Sequence, residues 1–231
     1  NDKYLIQVIM CGRFSFSPLT RIIEERFDIE VDESNYKPSY NCAPSQNLAV
    51  ISNVVPGKLS FFRWGLIPFW AKDPSIGNRL INARAETVTQ KPSFKNSFQQ
   101  KRCLVLSDGF YEWKKGEEKE KIPYRVFLKN DALFSMAGIW DTWKDAEGKP
   151  IHSFAIITTS PNNLMKNIHQ RMPVILNKND EKNWLENNNT DELSKLLEPY
   201  PSNEMTAYQI SKLVNSPLNN SPEIIKPVNT L

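Results

Sequence analysis

The chain has 231 residues, 40% of them hydrophobic, and its 29 basic and 26 acidic side chains leave a net charge of +3. This length and apolar content suffice to bury a core in one large domain or two small ones, and so small a charge permits a polyanionic partner without arguing for one. Three widely spaced cysteines, Cys11, Cys42 and Cys103, argue against a disulfide framework and for a reducing, cytoplasmic compartment. No C-x-x-C pair points to structural zinc, and no apolar run reaches the ~20 residues of a membrane span, so no membrane contact is expected.

Residues Tyr4 to Met10 are apolar apart from Gln7, with no small-residue cleavage site after them. They read as an extra strand or as residues left by an early start, not as a secretory signal. Phe14 and Phe16 alternate with serines as in a strand, and Ser17-Pro18 supplies a helix cap and first-turn proline, predicting a short helix that buries Leu19, Ile22, Ile23 and Phe27. The runs Asn47 to Ser52 and Lys58 to Leu66 predict a hairpin around Pro56-Gly57. Residues Ile67 to Gln90 are turn-rich, and a surface site is expected there.

Phe94 and Phe98, four apart, predict a short amphipathic helix. Strands are expected at Cys103 to Leu106, Gly109 to Lys114, Tyr124 to Leu128, Leu133 to Trp140 and Phe154 to Thr159, with charged turns at Lys115 to Lys121 and Lys144 to Lys149 read as solvated hairpin loops. Helices follow at Asn162 to Ile168, Asp180 to Glu186 and Asp191 to Leu197. With no repeat and no long linker, the fold class is α+β: a single domain on a curved, mainly antiparallel, barrel-like sheet with short flanking helices.

Polar or conformationally special residues cluster where core patterning does not require them: Cys11-Gly-Arg-Phe, Tyr40-Asn-Cys-Ala-Pro, Arg63-Trp-Gly-Leu-Ile-Pro with Trp70, Asn82-Ala-Arg-Ala-Glu-Thr, Gly109-Phe-Tyr-Glu-Trp, Thr158-Thr and His169-Gln-Arg-Met-Pro. These seven ordered blocks closely resemble the SRAP family, the SOS-response-associated peptidases. The resemblance runs from Cys11 to about Pro173 and more loosely beyond, so residues 11–231 are expected to form the SRAP domain behind a ten-residue leader.

The resemblance implies a DNA-damage protein of the SOS response that binds abasic sites in single-stranded DNA. It captures the ring-opened sugar aldehyde on an N-terminal cysteine as a thiazolidine, with a peptidase-like step that exposes that cysteine. No cofactor or metal is implied, and a monomer is expected, cytoplasmic and nucleoid-associated when bound to DNA. The chemistry is coherent: an α-amine with a pKa of roughly 7.7–8.0 attacks an aldehyde near neutrality, and the adjacent thiol closes a five-membered ring.

Proton transfers in such a reaction suit histidine, and only His152 and His169 are present. His152, after the turn at Gly148-Lys149-Pro150, reads as a surface residue, whereas the resemblance assigns His169 acid/base work on the sugar. Glu112 lies among aromatics in a strand. It either faces solvent, the favoured reading of the local pattern, or is a buried carboxylate with a shifted pKa. By resemblance it contacts the cysteine α-amine. Asn82 and Arg84 point the same way if their segment is extended; Asn82 then resembles the residue orienting the sugar adduct, while Arg84 and Arg13 resemble phosphate clamps.

By the same resemblance Asn41 and Pro44 line the DNA channel, with Pro44 as an apolar wedge, and Gly12 and Arg171 join the DNA-binding set. Trp70 is the candidate for stacking on a base, whereas Trp64 belongs to the core. Thr158 and Thr159 either bind the DNA backbone or satisfy a turn. Cys42 and Cys103 read as small buried hydrophobes.

The covalent chemistry needs Cys11 as the first residue of the mature chain. A start at Met10 followed by trimming is the favoured route, then self-cleavage of the Met10-Cys11 bond, then a retained leader that blocks adduct formation. Two other functions compete: a cysteine peptidase or amidohydrolase using Cys11, His169 and Glu112, and a non-enzymatic single-strand DNA-binding module.

Overall fold

The computed structural model describes residues 11–130 and 132–228; the leader discussed above lies outside them. Among the described residues thirteen strands and four α-helices follow one another. The strands are β1 (Arg13–Phe16), β2 (Ser39–Cys42), β3 (Asn47–Ser52), β4 (Val55–Trp64), β5 (Asn82–Arg84), β6 (Arg102–Ser107), β7 (Gly109–Lys115), β8 (Lys121–Leu128), β9 (Phe134–Lys144), β10 (Pro150–Thr159), β11 (Met172–Pro173), β12 (Ile175–Leu176) and β13 (Met205–Gln209). The helices are α1 (Thr20–Phe27), α2 (Lys95–Gln100), α3 (Lys178–Glu186) and α4 (Thr190–Lys195).

Strands β10, β4, β3, β6 and β9 pair in that order, and β9 returns to β10, closing a five-stranded barrel. Every pair in the ring is antiparallel except β4 with β10, which meet in parallel at Ser153↔Arg63 and Phe154↔Trp64. Closure removes sheet edges and fills the interior with alternate side chains. A second, antiparallel sheet runs β13-β8-β7-β1-β2. Phe14 and Phe16 of β1 and Phe110 of β7 join the barrel's apolar core, so this sheet packs one face inward. The expected α+β, barrel-like architecture is therefore the one the chain adopts.

Beyond Phe154, β10 leaves β4 and takes β5 as its parallel neighbour, with Ile156 opposite Asn82 and Thr158 opposite Arg84. β11 pairs with Thr158 and Thr159. This end of β10 thus brings together segments from residues 82–84 and 172–173, beside the start of β1.

Several local expectations need correction. The hairpin turns at Asn53 and Val54, because Ser52 already pairs with Val55, and Pro56-Gly57 lie inside β4. A bulge between Val50 and Ser52 loosens this end of the pair, where a proline without an N–H is tolerated. Helix α1 buries Ile23 but leaves Leu19 and Ile22 exposed, since its two turns present only a narrow stripe to the core. Residues 162–168 hold only a 3-10 turn, Met165–Asn167. Strands β2 and β13 escaped sequence reading because their short, polar runs draw order from neighbouring strands.

Between β4 and the 3-10 turn Pro74–Arg79, the chain is held by buried groups. Gly65 donates to Phe154 O, Ile67 N–H to Ser153 Oγ and Phe69 N–H to Asp141 Oδ2, while Trp143 Nε1 donates to Ala71 O. Asp141 is buried and neutralised by Lys101 at 2.7 Å. Gly65 has φ +122°, and a Cβ there would stand 2.6 Å from Gly77 O. Both the dihedral and the contact require glycine. Gly65→Ala is expected to destabilise the protein by ~2–4 kcal/mol, read as a lower denaturant midpoint at unchanged slope.

Candidate functional site: Cys11, Glu112 and His169

Glu112 lies two residues after Phe110 on β7, and strand alternation points both toward the core. The carboxyl is 1% exposed. Tyr111 takes the other face and packs in a small second cluster with Ile210, Val214 and Ile224. Glu112 is therefore an inward residue, the buried carboxyl of the two alternatives and not the solvent-facing one that the local pattern favours.

Cys11 sits just before β1 with φ 45°, a left-handed backbone uncommon outside glycine. Its carbonyl accepts from Asn82 Nδ2 at 3.5 Å, and its buried thiol points at Arg171 O, 3.8 Å away. The Cys11 thiol lies within 4.8 Å of a Glu112 carboxyl oxygen, and the thiol and main-chain N–H of Cys11 both favour the Glu112 anion. His169, just past the 3-10 turn, brings Nδ1 to 3.8 Å from Glu112 Oε2 and to 3.2 Å from both N and O of Arg171. Three residues more than fifty positions apart thus share one pocket.

Arg171 is the support behind this group. Its guanidinium grips the carboxylate of Glu86 through both terminal nitrogens and donates to Thr158 O at 2.6 Å. Thr158 and Thr159 are buried, and the Thr158 hydroxyl faces Ala83 O and Arg171. Strand β5 is extended, so Asn82, half-buried, and Arg84, exposed, share a face while Ala83 enters the core.

Arg13 and Asn41 are committed elsewhere. Arg13 donates to Asn41 Oδ1, Val214 O and Asn215 O, and the buried amide of Asn41 donates to Val214, Ser216 and Asn219 carbonyls. Together they fasten the segment 214–219 to the second sheet. Gly12 is buried and Pro44 half-buried. Trp64 is in the core, as expected, with its indole N–H on Ile81 O, whereas Trp70 and Phe69 are 48% and 58% exposed on the pinned loop described above. His152 is exposed and hydrogen-bonded to Thr142. Cys42 and Cys103 are buried thiols whose pKa values burial pushes up.

One feature of the surface lay unmarked in the sequence. A cleft of about 450 Å³ opens onto Glu112 and His169 and is lined by Lys114, Lys115, Lys121 and Lys166. The β7–β8 hairpin, with Lys115 opposite Lys121, was read as a solvated loop. Its basic residues flank the Gly109-Phe-Tyr-Glu-Trp block directly, which is the signal that proximity in sequence offered.

A model of the SOS response associated peptidase (SRAP) family matches residues 10–217. The chain belongs to the SRAP family. It is 52% identical to the abasic site processing protein YoqW of Bacillus subtilis over 223 residues, covering 94% of this chain and 99% of that one. It is 31% identical to the abasic site processing protein HMCES of Xenopus tropicalis, covering 85% and 68%. A crystal structure of a protein from Bacteroides thetaiotaomicron superposes with a TM-score of 0.86 at 34% identity, over 94% of this chain and all of that one.

The electrostatics of this SRAP site follow from its dryness. Burial pushes the Glu112 pKa up to about 8, against the opposing pull of the Cys11 thiol and main-chain N–H. Burial, then Glu112, raises the Cys11 thiol well above its usual value. Burial lowers His169, with Lys115 and Lys121 adding to the effect. Although His169 and Glu112 stand at ion-pair distance, burial shifts each toward its neutral form. A protonated carboxyl beside a neutral imidazole is one acid and one base at the same place.

Between the ordinary carboxyl value of 4.5 and about 8, the native state holds a proton at Glu112 that the unfolded chain has released. This side chain therefore costs stability as pH rises through that window. Glu112→Gln is expected to raise the melting temperature at pH 8 and to change it little at pH 4.5, which thermal melts of both proteins would measure.

Proposed function

We propose that the protein captures abasic sites in single-stranded DNA by a covalent linkage through Cys11. The observation that carries this is the pocket in which the Cys11 thiol, a Glu112 carboxyl oxygen and a His169 ring nitrogen lie within 4.8 Å of one another, with the Cys11 main-chain N–H also acting on that carboxyl. Both reactive atoms of a terminal cysteine then share one proton carrier. The names of YoqW and HMCES as abasic site processing proteins support the substrate class.

The reaction requires Cys11 to bear a free α-amine. The neutral amine adds to the C1′ aldehyde of the ring-opened deoxyribose, giving a carbinolamine. Loss of its hydroxyl as water, with a proton from the Glu112 carboxyl, leaves an iminium ion, and return of the nitrogen's proton to Glu112 gives the imine. The thiol then adds to the imine carbon and its proton passes to the nitrogen, closing a thiazolidine with one water released overall. His169 assists opening of the sugar, and Asn82 holds the Cys11 carbonyl and so orients the amine. A thiol of raised pKa suits this order, because nitrogen attacks first and sulfur closes the ring.

Exposure of the amine follows from translation beginning at Met10 with trimming, or from cleavage of the Met10-Cys11 bond by the cysteine itself. Intact mass of protein made from its natural start distinguishes the two when Cys11→Ala is measured beside it. Trp70 and Phe69, on a loop with no freedom to lose, offer faces for bases next to the lesion, a contact worth ~1–3 kcal/mol per base. Arg84 and the lysines of the cleft offer phosphate contacts on either side.

Incubated with a single-stranded oligonucleotide carrying one abasic site, the mature protein is expected to give a shifted band on a denaturing gel. Cys11→Ala should give none, and His169→Ala should slow the band's appearance by ~10²-fold or more with little loss of affinity. An oligonucleotide bound but never linked would leave only the DNA-binding reading. Separately, Arg84→Ala is expected to weaken DNA binding and reduce the salt slope by about one; an unchanged slope in a binding titration would remove Arg84 from the phosphate contacts.

A further inference from the structure

We infer that the pocket of Cys11, Glu112 and His169 is also a binding site for a zinc ion, which acts as a reversible inhibitor of the proposed reaction. The thiol sulfur, a carboxylate oxygen and an imidazole nitrogen of these residues all lie within 4.8 Å of one another. The imidazole-to-carboxylate distance is 3.8 Å. Tetrahedral zinc, with bonds of about 2.0–2.3 Å, holds its ligand atoms roughly 3.3–3.7 Å apart. Side-chain movements of about 1 Å or less therefore bring all three onto one ion.

A second observation points the same way. Glu112 Oε1 is buried and makes no hydrogen bond among the described residues, a costly state for a carboxyl oxygen in a dry pocket. A metal ion would give that carboxylate a partner. The donor set selects the ion's class: sulfur and imidazole favour zinc over magnesium or calcium, which take oxygen cages. Thiolate and carboxylate together cancel the charge of the ion, so the complex is neutral. The cations nearby, Arg171 with Lys115 and Lys121, then face no net charge and oppose it weakly.

Three protein ligands leave a fourth position, reached from the cleft that opens onto Glu112 and His169. It suits water or an added nitrogen ligand. The ion would hold the thiol that closes the ring and the two groups that move protons. The ligands come from positions 11, 112 and 169, so no spacing in the chain announces them. The regulatory half of the inference rests on the function proposed above, whereas the binding half does not.

Cobalt(II) is the probe for binding, because a cobalt–thiolate bond gives an intense near-ultraviolet absorption. Titration of the full chain with Co²⁺ is expected to produce that band, and added Zn²⁺ to abolish it by displacement. Cys11→Ser should lose the band, and His169→Ala should weaken binding at least tenfold, while His152→Ala, which removes the other histidine, leaves it unchanged. Native circular dichroism of each variant guards against misfolding. In the same preparations, Zn²⁺ should suppress crosslinking to an abasic oligonucleotide and a chelator should restore it. Absence of the band, or binding that survives in both Cys11→Ser and His169→Ala, overturns the site. Crosslinking that persists at saturating Zn²⁺ overturns the inhibition. Metal binding without any crosslinking by metal-free protein would sink the proposed function and leave the metal site standing.

Discussion

A carboxyl group on the inward face of β7 is the constraint around which the site is arranged. Glu112 occupies a position that strand alternation reserves for an apolar side chain, and removing it from water makes its anion expensive. Its neighbours follow from that expense. Burial raises the thiol pKa of Cys11 beside it and lowers that of His169, so three groups that are commonly ionised at some pH near neutrality are each shifted toward the uncharged form. A pocket in that condition gains most from whatever introduces one compensated charge, whether a protonating amine or a cation.

The barrel makes such a pocket possible by giving up one strand pair. β10 closes the ring against β4 for only two residue pairs and then diverges to accept β5 and β11. The divergence opens a gap at the barrel's end, and Cys11 enters it, against Asn82 and Arg171. Around the gap, each support is tied to a rigid element: Asn82 lies on β5, and Arg171 is tied to Glu86 and to the end of β10. Groups fixed in this way lose little freedom when a strand of DNA is laid across them.

Much of the strand framework was legible because its signal is local. The alternating or continuous apolar runs at Cys103 to Leu106, Gly109 to Lys114 and Phe154 to Thr159 each became strands that extend one to four residues further. Phe94 and Phe98, four apart, are both buried. Elements whose order comes from a partner were not legible. β13 is a half-buried run stabilised by pairing with β8, and the turn of the β3–β4 hairpin is set by a bulge instead of by Pro56-Gly57. Of the residues in the ordered blocks, Cys11, Glu112 and His169 meet in one pocket, whereas Arg13 and Asn41 bind the 214–219 segment, a contact across some two hundred residues that no local pattern records.

By itself the sequence determined the chemical inventory: a cysteine at position 11, two histidines, a glutamate among aromatics, and seven ordered blocks sufficient to indicate a family. It determined the class of fold, because periodicity is written in neighbouring residues. Tertiary structure alone decided which of those groups meet and in what state of charge. Burial is a property of what surrounds a side chain, and the surroundings of Glu112 come from positions 11 and 169 as much as from its own strand. The same holds for the lysines of the β7–β8 hairpin, whose place beside the pocket depends on how two sheets pack.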